Sequence, residues 1–182
     1  TPKSTLRHKG NTSSLKDFVN GSTFHRVLHN LLSDDEKRKI DRVVLCSGKI
    51  YFELQDHINE LSLNNIHIIR LEQLYPFPYE ALEEEIADFK NCEMIWCQEE
   101  PRNMGAWQFV EERIQSVLEK VTGKIDLHFI GRRAAASPAT GVFDRHLANQ
   151  KNIIRLATEA NLEEIKKEKS GVSLVKYKLP IE

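Results

Sequence analysis

The chain has 182 residues and carries 26 lysine and arginine side chains against 27 aspartate and glutamate side chains, so its formal net charge is −1. This balance argues against a nucleic-acid partner, because nucleic-acid-binding proteins present an excess of positive charge. No apolar run approaches the roughly 18 residues of a membrane span, and no apolar signal region opens the chain. Since the first residue is Thr1 rather than methionine, we expect a piece of a longer polypeptide.

The first 40 residues predict a connector rather than a folded core. They open polar and basic, and Ser14 is placed to cap a short turn that reaches Phe18. From residue 23 to residue 32 the apolar side chains have helical spacing, although an extended start fits them equally well. A solvated run of charges, residues 34–39, follows.

Residues 41–160 alternate between strand-like and helical patterns, and residues 161–182 are expected to form a tail. The predicted strands are Val43–Cys46, Ile66–Leu71, Met94–Cys97 and Ile125–Ile130, with a possible late strand at Val172–Val175. The predicted helices cover residues 49–61, 79–89, 109–121 and 146–168. This order predicts an α/β fold of three layers, in which helices cover both faces of a mainly parallel sheet.

The three cysteines, Cys46, Cys92 and Cys97, lie in or beside apolar strand-like runs. An odd number of thiols in such runs indicates reduced cysteines in a cytosol-like compartment. The spacing of Cys92 and Cys97 is not that of a zinc knuckle, and on one strand they point to opposite faces. The sequence therefore predicts neither a zinc site nor an activated thiol nucleophile.

Because the carboxyl ends of parallel strands meet at one edge of a sheet, the loops that follow them are expected to gather there. Lys49 opens a helix, where free backbone N–H groups can help to hold an anion. Arg132 and Arg133, close to Ser137, can bind a phosphate or a carboxylate, or can pair with Glu99 or Glu100. The candidate interface and anion-binding residues are Lys49, Glu99, Glu100, Asn103, Trp107, Arg132, Arg133 and Ser137.

The sequence contains no Walker A motif, no G-x-G-x-x-G fingerprint and no G-x-S-x-G elbow. No catalytic, cofactor-binding or metal-binding residue is therefore predicted. Glu99, Glu100 and Trp107 are expected to act by positioning, with the Trp107 ring buried to anchor its loop. The absence of a complete catalytic set points to a domain that supports a site made elsewhere.

Four strings carry a resemblance to a known family: Leu45–Lys49, Arg70–Pro78, Trp96–Trp107 and Gly131–Gly141. In this order, and with Thr1–Ser4 ahead of them, they resemble the C-terminal domain of the bacterial-type E1 component of 2-oxoglutarate dehydrogenase. The resemblance covers roughly residues 1–160. It implies a transketolase C-terminal-like fold and a part in the citric acid cycle, in which E1 oxidatively decarboxylates 2-oxoglutarate and transfers the succinyl group to the lipoyl group of E2.

The resemblance also implies that thiamine diphosphate and Mg²⁺ bind to other E1 domains, that this chain alone is inactive, and that it supports domain packing and the E1 homodimer. A bacterial cytoplasm is the expected location, ahead of a mitochondrial matrix. Two alternatives stay open at this point. One is a stand-alone nucleotide- or anion-binding module that uses Lys49, Arg132 and Arg133, and the other is the equivalent domain of a pyruvate or branched-chain E1 β subunit.

Overall fold

A computed structural model describes residues 2–167 of the chain, so the expected strand at Val172–Val175 lies outside the described residues. The strands are β1 (Val27–His29), β2 (Arg42–Cys46), β3 (Ile66–Leu71), β4 (Glu93–Pro101) and β5 (Leu127–Arg132). The α-helices are α1 (Asp34–Lys37), α2 (Ile50–Leu61), α3 (Tyr79–Ile86), α4 (Trp107–Thr122), α5 (Phe143–Thr158) and α6 (Leu162–Lys167). Short 3-10 turns cover Lys3–Arg7, Leu15–Phe18 and Ala87–Phe89.

The five strands form one sheet in the order β1-β3-β2-β4-β5. β2 pairs with β3 and β4, and β4 with β5, all in parallel, whereas β1 pairs antiparallel with β3 at the edge. The mainly parallel sheet that the sequence predicts is therefore confirmed. The ambiguous residues 23–32 contribute β1, since this stretch finds an open sheet edge rather than a helix partner.

Helices cover both faces of the sheet, as predicted. All five residues of β2 are buried, as expected for a strand with a protein layer on each side. Val44 and Cys46 face a cluster that includes residues of α2 and α5. Val43 and Leu45 face a second cluster, which includes residues of α3 and α4. The period of two along the strand thus assigns neighbouring side chains to different helical layers.

Several element boundaries differ from the sequence prediction. β4 continues beyond Cys97 to Pro101, because polar groups of the chain itself satisfy its buried end, as described below. β5 runs to Arg132, which places this arginine in the sheet rather than in a loop. The predicted helix over residues 146–168 is two helices, α5 and α6. Ile165 of α6 packs against the core, and the division into connector, domain and tail stays a prediction.

Arg42, at the start of β2, binds the last turn of α5 to the sheet. Its guanidinium donates to Glu93 Oε2 from Nη2 at 2.7 Å and from Nε at 3.0 Å. The same group donates to the carbonyl oxygens of Ala157 and Ala160. Ala157 lies in the last turn of α5, and Ala160 lies just after this helix. Arg42 is only 7% exposed. A buried cation at a helix C-terminus satisfies carbonyls that the helix itself leaves open.

We expect Arg42→Met to lower the free energy of unfolding by about 2–4 kcal/mol, because it leaves Glu93 and two carbonyls without their donor. Urea unfolding followed by circular dichroism measures this change. Arg38→Met is the matched control, since Arg38 is exposed and pairs with the exposed Asp35. The control should change stability by no more than about 0.5 kcal/mol. Equal effects in the two variants would contradict the role given to Arg42.

His67 is a buried histidine of β3, at 3% exposure, and its ring stacks on Phe89 with 4.9 Å between centroids. Burial, helped by the neighbouring His29 and Lys37, lowers the pKa of His67 from 6.5 to about 4. Between these two pH values the unfolded chain binds a proton that the folded chain excludes. Protonation of the unfolded chain therefore lowers the free energy of unfolding as the pH falls from 6.5 towards 4.

We expect the free energy of unfolding to decrease through this pH window with a contribution from His67 of at most about 1.4 kcal/mol per pH unit. His67→Leu should remove that contribution, so its stability should fall less steeply than that of the wild type between pH 6.5 and pH 5. Urea unfolding at several pH values provides the comparison. His25→Leu, which changes an exposed histidine, should keep the wild-type slope. An unchanged slope in His67→Leu would refute the assignment.

Candidate functional site

The candidate site is the edge of the sheet at which the four parallel strands reach their carboxyl ends. The segments that follow these ends are residues 47–49, 72–78, 102–106 and 133–142. The segments after β4 and β5 contact each other, since Asn103 Nδ2 donates to Ala135 O and Ala135 N donates to Asn103 Oδ1, both at 3.0 Å. Arg102 N also donates to Arg132 O at 2.8 Å. These bonds join the loops after β4 and β5. We call the whole rim that the four segments form the carboxyl edge.

A chain of polar contacts crosses the carboxyl edge beside β2 and β4. Lys49 Nζ lies 2.9 Å from Glu99 Oε2 and 2.6 Å from Glu53 Oε1. Gln150 Nε2, on α5, donates to the second Glu53 oxygen at 2.8 Å. Although partial burial by itself would lower the pKa of Lys49, the two carboxylates outweigh burial and raise the pKa. The ammonium group is therefore neutralised inside the domain.

Within the chain, Glu99 pairs with Lys49 rather than with Arg132. A pairing of Arg132 with Glu99 or Glu100 between subunits stays a prediction. The Arg132 guanidinium is 7% exposed and lies with Nη2 3.0 Å from His146 Nδ1, on α5. Since arginine only donates, His146 Nδ1 accepts, and a neutral His146 carries its proton on Nε2. The Nε of Arg132 is buried without a hydrogen-bond partner among the described residues.

The remaining candidate residues are not assembled into a single pocket. Glu100, Asn103, Arg133 and Ser137 are exposed, and Ser137 Oγ donates to Ala139 O at 2.7 Å. The structure thus brings Lys49 together with Glu99, and Asn103 together with the loop after β5. Arg132 lies within β5, and Arg133 is the exposed residue after it. Anion binding by these residues stays a prediction.

Gln98 organises the loop after β4, and its role was not anticipated from the sequence. It is 3% exposed. Its Oε1 accepts from the Trp96 indole N–H at 2.9 Å and from the Trp107 backbone N–H at 3.1 Å. Its Nε2 donates to the carbonyls of Met104 at 2.8 Å and Pro101 at 3.2 Å. One side chain therefore provides hydrogen-bond partners for two N–H groups and two carbonyls of a buried turn. This turn lies where the β4–β5 register shifts.

Trp107 begins α4 and closes this loop. Its ring is 2% exposed and lies 4.9 Å from the ring of Phe129, centroid to centroid. The guanidinium carbon of Arg102 lies over the Trp107 ring, 5.4 Å from the ring centroid. Gly105 allows the tight approach, since its φ is +68° and a Cβ there would stand 3.0 Å from Gln98 Nε2. The loop is thus packed from several sides, which suits a residue set that positions rather than reacts.

Sequence reasoning missed four polar residues of the carboxyl edge: Glu53, Gln98, His146 and Gln150. One signal was available for Gln98, because strand periodicity puts it on the same face as the apolar Trp96. A polar residue on an apolar face indicates a buried hydrogen-bonding role. No comparable signal existed for the other three, because their contacts depend on how α2 and α5 are placed over the sheet.

The chemistry open to this edge is limited. Burial raises the pKa of Cys46 to about 12, so its thiol is not an activated nucleophile. Within residues 2–167, no group of three or more His, Cys, Asp or Glu side chains is arranged to hold a metal ion. Lys49 and Glu99 neutralise each other. The arrangement is that of a structural rim with exposed charged residues at its outer side.

Comparisons with known proteins show the family to which the chain is similar. The family model for the 2-oxoglutarate dehydrogenase C-terminal domain matches residues 12–158. The chain belongs to this family. Proteins named 2-oxoglutarate dehydrogenase E1 component, from Brucella anthropi and Brucella ovis, are each 45% identical over 157 residues, and one from Brucella abortus is 44% identical. These matches cover 81% of the chain but only 16% of the relatives' own length.

Membership in the 2-oxoglutarate dehydrogenase C-terminal family confirms the resemblance found in the sequence. It favours neither a stand-alone nucleotide-binding module nor a pyruvate or branched-chain E1 β subunit. In the part of the chain that the structure describes, no helix is both long and apolar enough to cross a bilayer. The family match also includes the whole of the carboxyl edge and most of the N-terminal connector.

We expect Gln98→Leu to lower the free energy of unfolding by about 3 kcal/mol or more, because two N–H donors and two carbonyls lose their buried partner. Thermal and urea unfolding measure the loss. The control is Gln108→Leu, which makes the same change at an exposed position of α4 and should cost no more than about 0.5 kcal/mol. If Gln98→Leu is as stable as this control, the loop does not depend on the Gln98 amide.

Proposed function

We propose that this chain is the C-terminal domain of an E1 component that decarboxylates 2-oxoglutarate and passes the succinyl group to a lipoyl group on E2. Thiamine diphosphate and Mg²⁺ supply the chemistry of the decarboxylation and bind to other parts of E1. This domain contributes packing between E1 domains and supports the E1 homodimer. The location proposed for the enzyme is the bacterial cytoplasm.

The observation that carries the proposal is the family match over residues 12–158 together with relatives named as 2-oxoglutarate dehydrogenase E1. The share of those relatives that is matched, 16%, leaves most of their length for cofactor and substrate sites. The residues described in this chain supply no metal-ligand cluster. We therefore assign no step of the reaction to them.

The carboxyl edge supports a packing role through its division into an inner and an outer part. In the inner part, the Lys49 ammonium is paired with Glu53 and Glu99 within the domain. The outer part keeps charged side chains exposed, among them Glu100 and Arg133. A rigid rim with exposed charges of both signs is suited to meeting another protein surface, since complementary charges fix the register between partners.

The proposal predicts that the 182-residue chain alone does not bind thiamine diphosphate in the presence of Mg²⁺. The reason is that the proposal assigns the cofactor to other parts of E1, and the described residues group no three His, Cys, Asp or Glu side chains around a metal position. Isothermal titration calorimetry of this chain should give no binding heat, whereas the complete E1 polypeptide should bind the cofactor stoichiometrically. Stoichiometric binding by the chain alone would overturn the proposal.

The packing role predicts that Glu100→Ala with Arg133→Ala weakens the E1 dimer and leaves the chemical step of the remaining dimer nearly unchanged. The control removes the same pair of charges at exposed positions away from the carboxyl edge, by Glu60→Ala with Lys90→Ala. Sedimentation and single-turnover decarboxylation separate assembly from chemistry. A dimer of normal strength whose chemical step falls about a hundredfold would show that the edge is catalytic.

A further inference from the structure

The segment formed by residues 9–26, which we call the strap, is fixed to the domain at both of its ends. Before it, His8 Nε2 lies 2.8 Å from Asp56 Oδ2 and the His8 ring lies 4.9 Å from the ring of Phe52, both on α2. At its other end, the Arg26 carbonyl accepts from the backbone N–H groups that follow β3, at 3.0 and 3.1 Å. β1 then joins the sheet.

Between these anchors the strap is ordered by its own hydrogen bonds. Ser14 Oγ accepts from Lys16 N at 3.2 Å, and Asp17 Oδ2 accepts from Ser14 N at 3.0 Å, which forms a capping box. Ser22 bonds back to Val19 O through both its N–H and its hydroxyl group. The strap therefore has a defined backbone shape without support from the core.

All residues of the strap are nevertheless exposed in the described part of the chain. Its apolar side chains include Leu15 at 85% exposure, Phe18 at 75% and Phe24 at 68%. A phenylalanine offers about 150–250 Å² of burial, so Phe18 and Phe24 leave a large apolar area available within one short segment. Exposed apolar groups on a pre-shaped backbone indicate a docking surface with a low ordering cost.

We propose that the strap is the docking surface for the remaining part of the E1 polypeptide, an inference that rests on the proposed function. The family match begins at residue 12, so most of the strap belongs to the family's domain rather than to an added tail. The relatives are far longer than the matched region, which is 16% of their length. The strap ends beside the segment after β3, so it continues the carboxyl edge.

The occupant is expected to be apolar where it meets the strap. Among residues 9–26 the charged side chains are Lys9, Lys16, Asp17 and Arg26, so the segment carries only a small positive excess. Apolar contact rather than charge therefore dominates the attraction. This distinguishes the strap from the outer part of the carboxyl edge, where charged residues are presented.

Trypsin gives a direct test, because Lys16 and Arg26 lie inside the strap and are exposed. In the 182-residue chain Lys16 should be cut rapidly, and Arg26 more slowly, because the Arg26 carbonyl is held by the backbone after β3. In the complete E1 polypeptide they should be cut at least about tenfold more slowly, since cleavage of a covered site follows the population of its open form. Mass spectrometry of timed digests identifies the two cuts.

The triple change Leu15→Ser, Phe18→Ser and Phe24→Ser should return the cutting of complete E1 at Lys16 and Arg26 to the rates of the 182-residue chain. The same change should leave the melting temperature of the 182-residue chain nearly unaltered, because these side chains are mostly exposed there. The matched control is Leu61→Ser with Ile125→Ser, which alters exposed apolar residues outside the strap. This control should keep the strap of complete E1 protected.

Equal cutting rates at Lys16 and Arg26 in the wild-type chain and in complete E1 would overturn the inference, and this comparison does not depend on whether a variant folds. A dimer of the 182-residue chain that the triple change abolishes would name a second copy as the occupant, and would also overturn it. If complete E1 binds thiamine diphosphate but its strap is cut as fast as in the 182-residue chain, the docking inference fails and the proposed function stands. An E1 with a protected strap and no action on 2-oxoglutarate removes the proposed function alone.

Discussion

The structure depends on burying β2 on both of its faces. Every residue of this strand is buried, and β3 and β4 pair with it on either side. A parallel strand in this position leaves no solvent-facing side, so each face needs its own helical layer. The chain meets this need by placing α2 and α5 on one face and α3 and α4 on the other. Burial of apolar surface in two cores is the dominant favourable contribution to folding.

The ends of the buried sheet impose a second requirement. Backbone and side-chain polar groups there have no partner on a neighbouring strand and need hydrogen bonds from elsewhere. The chain satisfies them with a few polar residues that each serve more than one element. Gln98 serves β4, the following loop and α4. Lys49 serves α2 and β4, and Arg42 serves β2, β4 and the end of α5. Because unsatisfied buried polar groups are costly, these residues are as important to the fold as the apolar core.

The parts of the fold that follow from local pattern were predictable from the sequence. The buried strands β2, β3 and β4 are short apolar runs, and α2 and α4 have apolar residues at helical spacing. The sequence left β1 open between a helix and an extended segment, because three residues of moderate burial become a strand only when β3 offers its edge. The pairing of Glu99 with Lys49 was missed. Strand periodicity puts Glu99 on the face of Cys97, but only the placement of α2 brings Lys49 within reach.

The Arg42 contact has a consequence for which changes in chain length the domain can accept. Arg42 donates to the carbonyl oxygens of Ala157 and Ala160, so these hydrogen bonds depend on the rotation of the last turn of α5 about the helix axis. One residue inserted into α5 would turn everything after it by about 100° and carry those carbonyls away from the guanidinium. An insertion in the exposed loop after Arg132 would leave that rotation untouched. Natural insertions and deletions in this domain should therefore avoid α5.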